Sequence, residues 1–368
     1  MWSRFLPKFF LLLLALGGGI GWAAAQVSPP PTYRNLVMEG GGIWGIAYGG
    51  ALQELQRRGV LTSIERVGGT SAGAIQAALL AVGYAPDSII TILNETPVQH
   101  LNDGRGMFVG GSRRLLKQYG WYRGDQLTTY LCELVARRTH RPNLTLGELH
   151  ELTQAYPGRF RDLYTTGTNL TLQRVQVFSY ETTPTMRVAD AVRISMSIPL
   201  YFRAVLLDSA NHVVTRPRPG QPVQVLVDGG LLANYPLSLF DQPHYYRQPG
   251  ALVSQSLPSD KQGHVSTINP ETLGLRLDRA AQIALDTLPR GHRELAHYEV
   301  RDFRTYVGAL YTVALENLNP TQPADWPRTI SINTLGVSQK VRRLSLAQKA
   351  ELLESGRQGV RAFFGRRP

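Results

Sequence analysis

The chain has 368 residues, 43% of them hydrophobic and 18% charged, which gives enough apolar material for a sizeable core and too little charge for a disordered chain. Its formal net charge of +12 comes from 39 Lys and Arg against 27 Asp and Glu, so an anionic lipid surface is a candidate partner. Nucleic acid is not, because no dense basic run with interleaved aromatics and no zinc finger is present, and the single cysteine, Cys132, excludes an internal disulfide and a cysteine-rich metal site.

The first predicted element is an export signal over residues 1–25. Arg4 and Lys8 precede an unbroken apolar run at 9–16, and Ala23-Ala24-Ala25 offers small residues for cleavage before Gln26. An uncleaved membrane anchor is the competing reading, disfavoured by the shortness of the run and by Gly17-Gly18-Gly19. The expected location is therefore exported, periplasmic or secreted. No cysteine follows the run, which argues against a lipid-anchored lipoprotein. Residues 26–33, with three consecutive prolines, read as a stiff linker. Residues 34–368 then form a single domain, since no internal repeat and no clean boundary interrupts them.

Within that domain, residues 35–39 predict a strand, 43–58 a helix ending at Gly59, 64–68 a second strand, and 72–82 a buried helix stopped at Gly83. The stretch 91–157 predicts mainly helix, with loops at 103–111 and 139–142. Cys132 falls on one of these helices as a small buried hydrophobe. Strands follow at 162–170 and 174–180. More strands flank 210–222, a surface insertion with three prolines, and one of them is 224–227. A polar loop covers 254–270, and a closing helix covers 346–364. Alternating strands and helices in the first half argue for an α/β fold with a predominantly parallel central sheet flanked by helices.

Three Gly-rich elements carry chemistry. Gly69-Thr70-Ser71-Ala72-Gly73 matches G-x-S-x-G, placed between a strand and a helix as a nucleophile elbow requires. Gly69 and Gly73 suit a turn too tight for side chains, and Ser71 would sit at the positive end of a helix. Gly40-Gly41-Gly42 lies at the end of the previous strand. A right-handed βαβ crossover puts both loops at one sheet edge, so bare amides of residues 40–43 lie beside Ser71, where they would hold an oxyanion. The third element, Asp228-Gly229-Gly230, ends an apolar run, and by itself reads as a simple turn. The hexapeptide from Gly40 to Gly45 also fits G-x-G-x-x-G. The dinucleotide reading is disfavoured because the second strand ends in Gly-Gly-Thr-Ser, and Glu65, at about the right spacing to hold a ribose, sits at the strand's start on the wrong edge. No spacing implies a metal or an organic cofactor.

Taken together, G-G-G-x-x-G, then G-x-S-x-G, then D-G-G resemble the patatin-like phospholipases. So do Thr168-Asn169-Leu170, Ser195-Met196-Ser197-Ile198-Pro199, the run from Val227 to Pro236, Thr272-Leu273-Gly274-Leu275 and Gly336-Val337-Ser338. The resemblance extends over residues 35–365. It implies a lipid acyl hydrolase with Ser71 as nucleophile, Asp228 as its direct base, and Gly40, Gly41 and Gly42 as the oxyanion hole, acting on a lipid or other acyl ester without a cofactor. The family usually has Arg or Lys where this chain has Trp44. Two other readings compete. One is an α/β-hydrolase with a Ser-Asp-His triad, for which His244, His264, His292 and His297 follow Asp228 in the required order. The other is a catalytically idle domain that binds lipid or a partner protein, disfavoured because all three elements are intact. Nothing in the sequence speaks to oligomeric state.

Overall fold

The computed structural model describes residues 32–95, 101–104, 109–247, 268–286, 294–302, 305–306, 309, 312–313, 323–337 and 344–366. The expected signal and residues 26–31 of the expected linker lie outside the described residues, as do His264 and His292.

Ten strands and nine helices are described. The strands are β1 (Asn35–Met38), β2 (Arg66–Gly69), β3 (Gly120–Tyr122), β4 (Asp162–Asn169), β5 (Arg174–Phe178), β6 (Leu200–Phe202), β7 (Val205–Leu207), β8 (Gln224–Asp228), β9 (Thr272–Asp278) and β10 (Thr329–Asn333). The helices are α1 (Ile46–Arg57), α2 (Ala72–Ala81), α3 (Pro86–Glu95), α4 (Val109–Gln118), α5 (Asp125–Thr139), α6 (Leu146–Ala155), α7 (Val188–Ser195), α8 (Ala280–Asp286) and α9 (Leu346–Gly365).

The main sheet runs β10-β9-β1-β2-β4-β8-β7, with β5 also paired to β4. From β10 to β4 every pairing is parallel, and β5, β8 and β7 add antiparallel pairings. The sheet is therefore mixed, with a parallel centre. β3 and β6 form a separate parallel pair.

Strand periodicity explains the layering. In β1, Leu36 and Met38 face the larger core, and Val37 faces a smaller one with Tyr164, Leu237, Phe240 and Tyr245. Successive side chains of a strand point to opposite faces, and all four residues of β1 are buried. Each such aliphatic side chain contributes about 2 kcal/mol by leaving water. The larger core also takes residues from α1, α2, α5, α6, α7 and α9. Short 3-10 turns at Leu237–Phe240 and Pro243–Tyr245 cover the other face. Cys132 packs at the margin of the larger core, and burial pushes its thiol pKa up, which suppresses thiolate chemistry.

α1 and α9 cross at backbone distance. A Cβ on Gly356 would collide with the Ala47 carbonyl, and one on Gly50 with the Leu353 carbonyl. Gly356→Val should therefore force the helices apart and destabilise the fold by about 3 kcal/mol or more. Thermal unfolding would read this as a large fall in Tm, and an unchanged Tm would contradict the packing.

Candidate active site

β1 and β2 lie side by side and parallel, with Met38 opposite Gly69, so the chain leaves both strands at one edge. After β1, Glu39-Gly40-Gly41 enters a 3-10 turn at Gly42–Gly45. After β2, Thr70 and Ser71 lead directly into α2.

Ser71 has φ +53° and ψ −120°, a conformation that costs a non-glycine residue about 1–3 kcal/mol. The surroundings enforce it. A Cβ on Gly69 would lie 2.6 Å from the carbonyl carbon of Gly73, and one on Gly73 would strike the Met38 carbonyl. The Thr70 amide donates to Met38 O at 3.2 Å, and the Thr70 hydroxyl donates to Ala233 O at 2.7 Å. The Ser71 amide donates to Ser195 Oγ at 3.0 Å. Its side chain is nearly buried at the positive end of α2.

Asp228 ends β8 opposite Gly167 of β4. Its amide donates to Ser197 O at 2.9 Å, and its Oδ1 accepts from the Gly230 amide at 2.7 Å. Gly229 has no room for a side chain, because a Cβ would meet the Thr166 hydroxyl. Burial pushes the Asp228 carboxyl up to about 7, against the hydrogen bonds from the Gly230 amide and the Ser71 side chain. The Ser71 hydroxyl is also placed to donate to Met196 Sδ at 3.7 Å. One hydroxyl hydrogen serves one acceptor at a time. The carboxylate is the stronger acceptor, while the thioether contact is long and weak.

The glycine loop differs from its expectation at one position. The Gly40 amide donates to Asn234 O at 3.0 Å, so it is committed and cannot also serve an oxyanion. Asn234 Nδ2 donates back to Gly40 O at 3.1 Å and to Glu39 Oε1 at 3.2 Å. Gly40 instead allows close approach, since a Cβ there would lie 3.3 Å from Ser71 Cβ. Gly41 and Gly42 keep their amides without a protein partner among the described residues. Gly42 has φ +54°, which favours glycine. Behind the loop, Glu39 Oε2 accepts from the Leu277 amide at 2.8 Å, and Arg276 lies between Glu39 and Asp278 at 3.8 and 3.3 Å. Trp44 Nε1 donates to Val337 O at 2.6 Å. A neutral hydrogen bond thus steadies the loop where the family usually has a cation.

Ser71, Asp228, Gly40, Gly41, Gly42, Gly69 and Gly73 therefore come together where three loops meet. His244 and His297, the two described members of the four candidate histidines, do not join them. His244 Nε2 sits 3.9 Å from Glu181 Oε1 with its ring against Tyr245, and His297 gives its carbonyl to Arg279. Among the described residues, no histidine is a partner of Asp228. Four contributors escaped the sequence reading of the site: Asn234, Ser195, Met196 and Ser197. Each lies in a run recognised for its resemblance, but none has a spacing that signals chemistry.

A strand-elbow-helix serine and a buried strand-end aspartate thus meet at one edge of an α/β sheet, as a candidate nucleophile and its candidate base. The family model of the patatin-like phospholipases matches residues 36–241, over half of the sequence, and the chain belongs to that family. It is 31% identical over 210 residues to the uncharacterised protein R571 of Acanthamoeba polyphaga mimivirus, covering 56% of this chain and 61% of that one. It is 25% identical over 216 residues to the probable lipid hydrolase 463L of Invertebrate iridescent virus 6, covering 58% of this chain and 66% of that one. The chain thus spans less than two thirds of the length of these relatives. Among solved structures, VipD from Legionella pneumophila shares the fold, with a TM-score of 0.53 and 18% identity, covering 91% of this chain and 67% of that one.

Proposed function

We propose that the chain is a lipid acyl hydrolase in which Ser71 attacks the ester carbonyl and Asp228 takes the serine proton. The observation that carries this reading is the pairing of a positive-φ serine with a buried carboxyl held near pH 7. A free carboxylate is too weak a base to activate a hydroxyl, and raising its pKa towards the working pH improves it.

In the first half-reaction the Ser71 oxygen bonds to the acyl carbon, the carbonyl electron pair moves onto oxygen, and the proton passes to Asp228. The Gly41 and Gly42 amides stabilise the oxyanion. Collapse breaks the ester C–O bond, and the leaving alcohol takes the proton from Asp228. Water then gives its proton to Asp228 and attacks the acyl-enzyme. Collapse breaks the acyl bond to Ser71, whose oxygen takes the proton back from Asp228 as the free acid leaves. Residues 1–25 act as an export signal in this reading, and residues 34–368 carry the activity as one domain.

A panel of phospholipids, lysophospholipids, acylglycerols and short aryl esters, assayed with wild type and Ser71→Ala, tests the assignment. Wild type should hydrolyse at least one lipid class and Ser71→Ala none. Equal activity in the two proteins, or no ester turned over by either, would defeat it.

The glycine loop gives a separate expectation. A Cβ on Gly41 would strike Leu277 Cδ1, so Gly41→Ala should displace the loop and its donors. Loss of one donor is worth roughly 3 kcal/mol in the transition state, about a hundredfold in kcat. KM should change little, because the oxyanion exists only after attack. If KM alone moved, the loop would be a binding surface.

A further inference from the structure

The sheet does not end level with the site. Thr165 of β4 pairs with Gly69, and β4 then runs four residues further, to Asn169. β5 and the start of β8 accompany it. At roughly 3.3 Å per residue, this lip rises about 13 Å past the sheet edge that holds Ser71.

The lip is apolar where it meets water. Leu170, Leu172 and Val175 on the β4–β5 hairpin are exposed, and Leu200 is 68% exposed. Leu200 pairs with Gly120, next to the exposed Tyr119. Tyr119, Leu170, Thr171 and Val225 line one recess of about 240 Å³, so the two clusters form a single surface. That surface adjoins the site: Val225 lies three residues before Asp228, and Leu200 lies four residues after Met196.

The backbone here is also strained. Tyr119, Gln173, Leu200 and Asn211 have φ of +62°, +53°, +66° and +65°. They are four of the seven non-glycine residues with positive φ among the described residues. A left-handed leucine whose side chain is turned into water is unfavourable on both counts. Fold stability explains neither, and strain of this kind gathers at functional surfaces.

The charge around the lip is mainly positive. Residues 109–125, 170–176 and 196–225 contain eight Lys and Arg and two acids, Asp125, which pairs with Arg203 at 2.7 Å, and Asp208. Asp208 is held by the Ala210 and His212 amides of its own turn. The exposed Arg113, Lys117, Arg123, Arg174, Arg216 and Arg218 make no ion pair among the described residues.

Exposed aliphatic tips ringed by unpaired cations match the interface of an anionic bilayer, where apolar groups enter the acyl boundary and cations meet phosphate. Nucleic acid fits less well, because stacking needs aromatic faces and the hairpin presents aliphatic ones. We infer that this lip docks the protein on an anionic phospholipid bilayer and presents the Ser71 edge to the lipid. The inference rests on the lipid-ester reading of the site.

The test uses the full chain carrying Ser71→Ala, so that vesicles stay intact. Sedimentable vesicles of phosphatidylcholine alone are compared with vesicles of equimolar phosphatidylcholine and phosphatidylglycerol. The protein should sediment with the anionic vesicles and release as salt rises. Leu172→Glu/Arg174→Glu and Arg216→Glu/Arg218→Glu should each weaken this binding roughly tenfold or more. The same changes in the Ser71 background should leave turnover of a soluble short-chain aryl ester intact. Wild-type binding by both double variants, equal binding to neutral vesicles, or no vesicle binding at all would overturn the docking surface; the last would point to a protein partner. Failure of wild type to turn over any ester would count against the hydrolase reading alone.

Discussion

Ser71→Ala should lower kcat for any hydrolysed ester by a thousandfold or more while leaving the protein folded. The change deletes one oxygen, whose sulfur contact to Met196 is long, and alanine accepts the same strained backbone about as badly as serine. Tm should therefore move little. The loss in rate is large because the acyl group has no other acceptor at the sheet edge, and residual turnover would come from the oxyanion donors alone. A variant that kept more than about a tenth of wild-type turnover would place the nucleophile elsewhere.

Asp228→Asn should remove nearly as much activity and at the same time make the protein more stable at alkaline pH. Asparagine keeps the shape and the acceptor for Gly230 but cannot take a proton. The carboxyl is held at about 7 by burial, above its ordinary value near 4. The sign of the linkage follows. The stability that the protonated buried form contributes is fully present below about pH 4 and is lost as pH rises through 7. Near pH 4 wild type and variant should unfold alike. At pH 8 the variant should be more stable, by up to roughly 4 kcal/mol for a shift of about three units. Wild-type kcat should rise with pH through about 7, because the base must be ionised. The losses from Ser71→Ala and Asp228→Asn should not add in the double variant, since the pair acts as a unit. A variant that lost activity without gaining alkaline stability would point to a carboxyl that is not buried as described.

Much of this was legible in the residues. Asn35–Met38, Arg66–Gly69 and the helices after them follow from short apolar runs punctuated by glycine, and the crossover rule placed the two glycine loops together. The closing helix was legible within one residue of its end. β9 escaped reading as a strand because Arg276 and Asp278 break its apolar pattern. Tertiary structure buries both charges by pairing them, and no local pattern records that. β10 has five residues and β3 three, too few for a period to show. α7 is short, and it carries Arg193, a fully buried cation that donates to three backbone carbonyls. At the site, the residue types and their order were readable. The role of Gly40 was not, since only the fold brings Asn234 to its amide. Asn234 is distant in sequence and has no chemistry of its own to betray it.

The most direct test of the Ser–Asp pair is the rate of covalent labelling by a fluorophosphonate across pH, with the adduct mapped by peptide mass spectrometry. It should be run on wild type, on Asp228→Asn, and on alanine variants of His244, His264, His292 and His297. The account predicts one adduct, on Ser71, at a rate that climbs to a plateau through about pH 7. It predicts near-silence from Asp228→Asn at every pH and wild-type labelling from all four histidine variants. An adduct on another residue, wild-type labelling of Asp228→Asn, or loss of labelling in one folded histidine variant would contradict it.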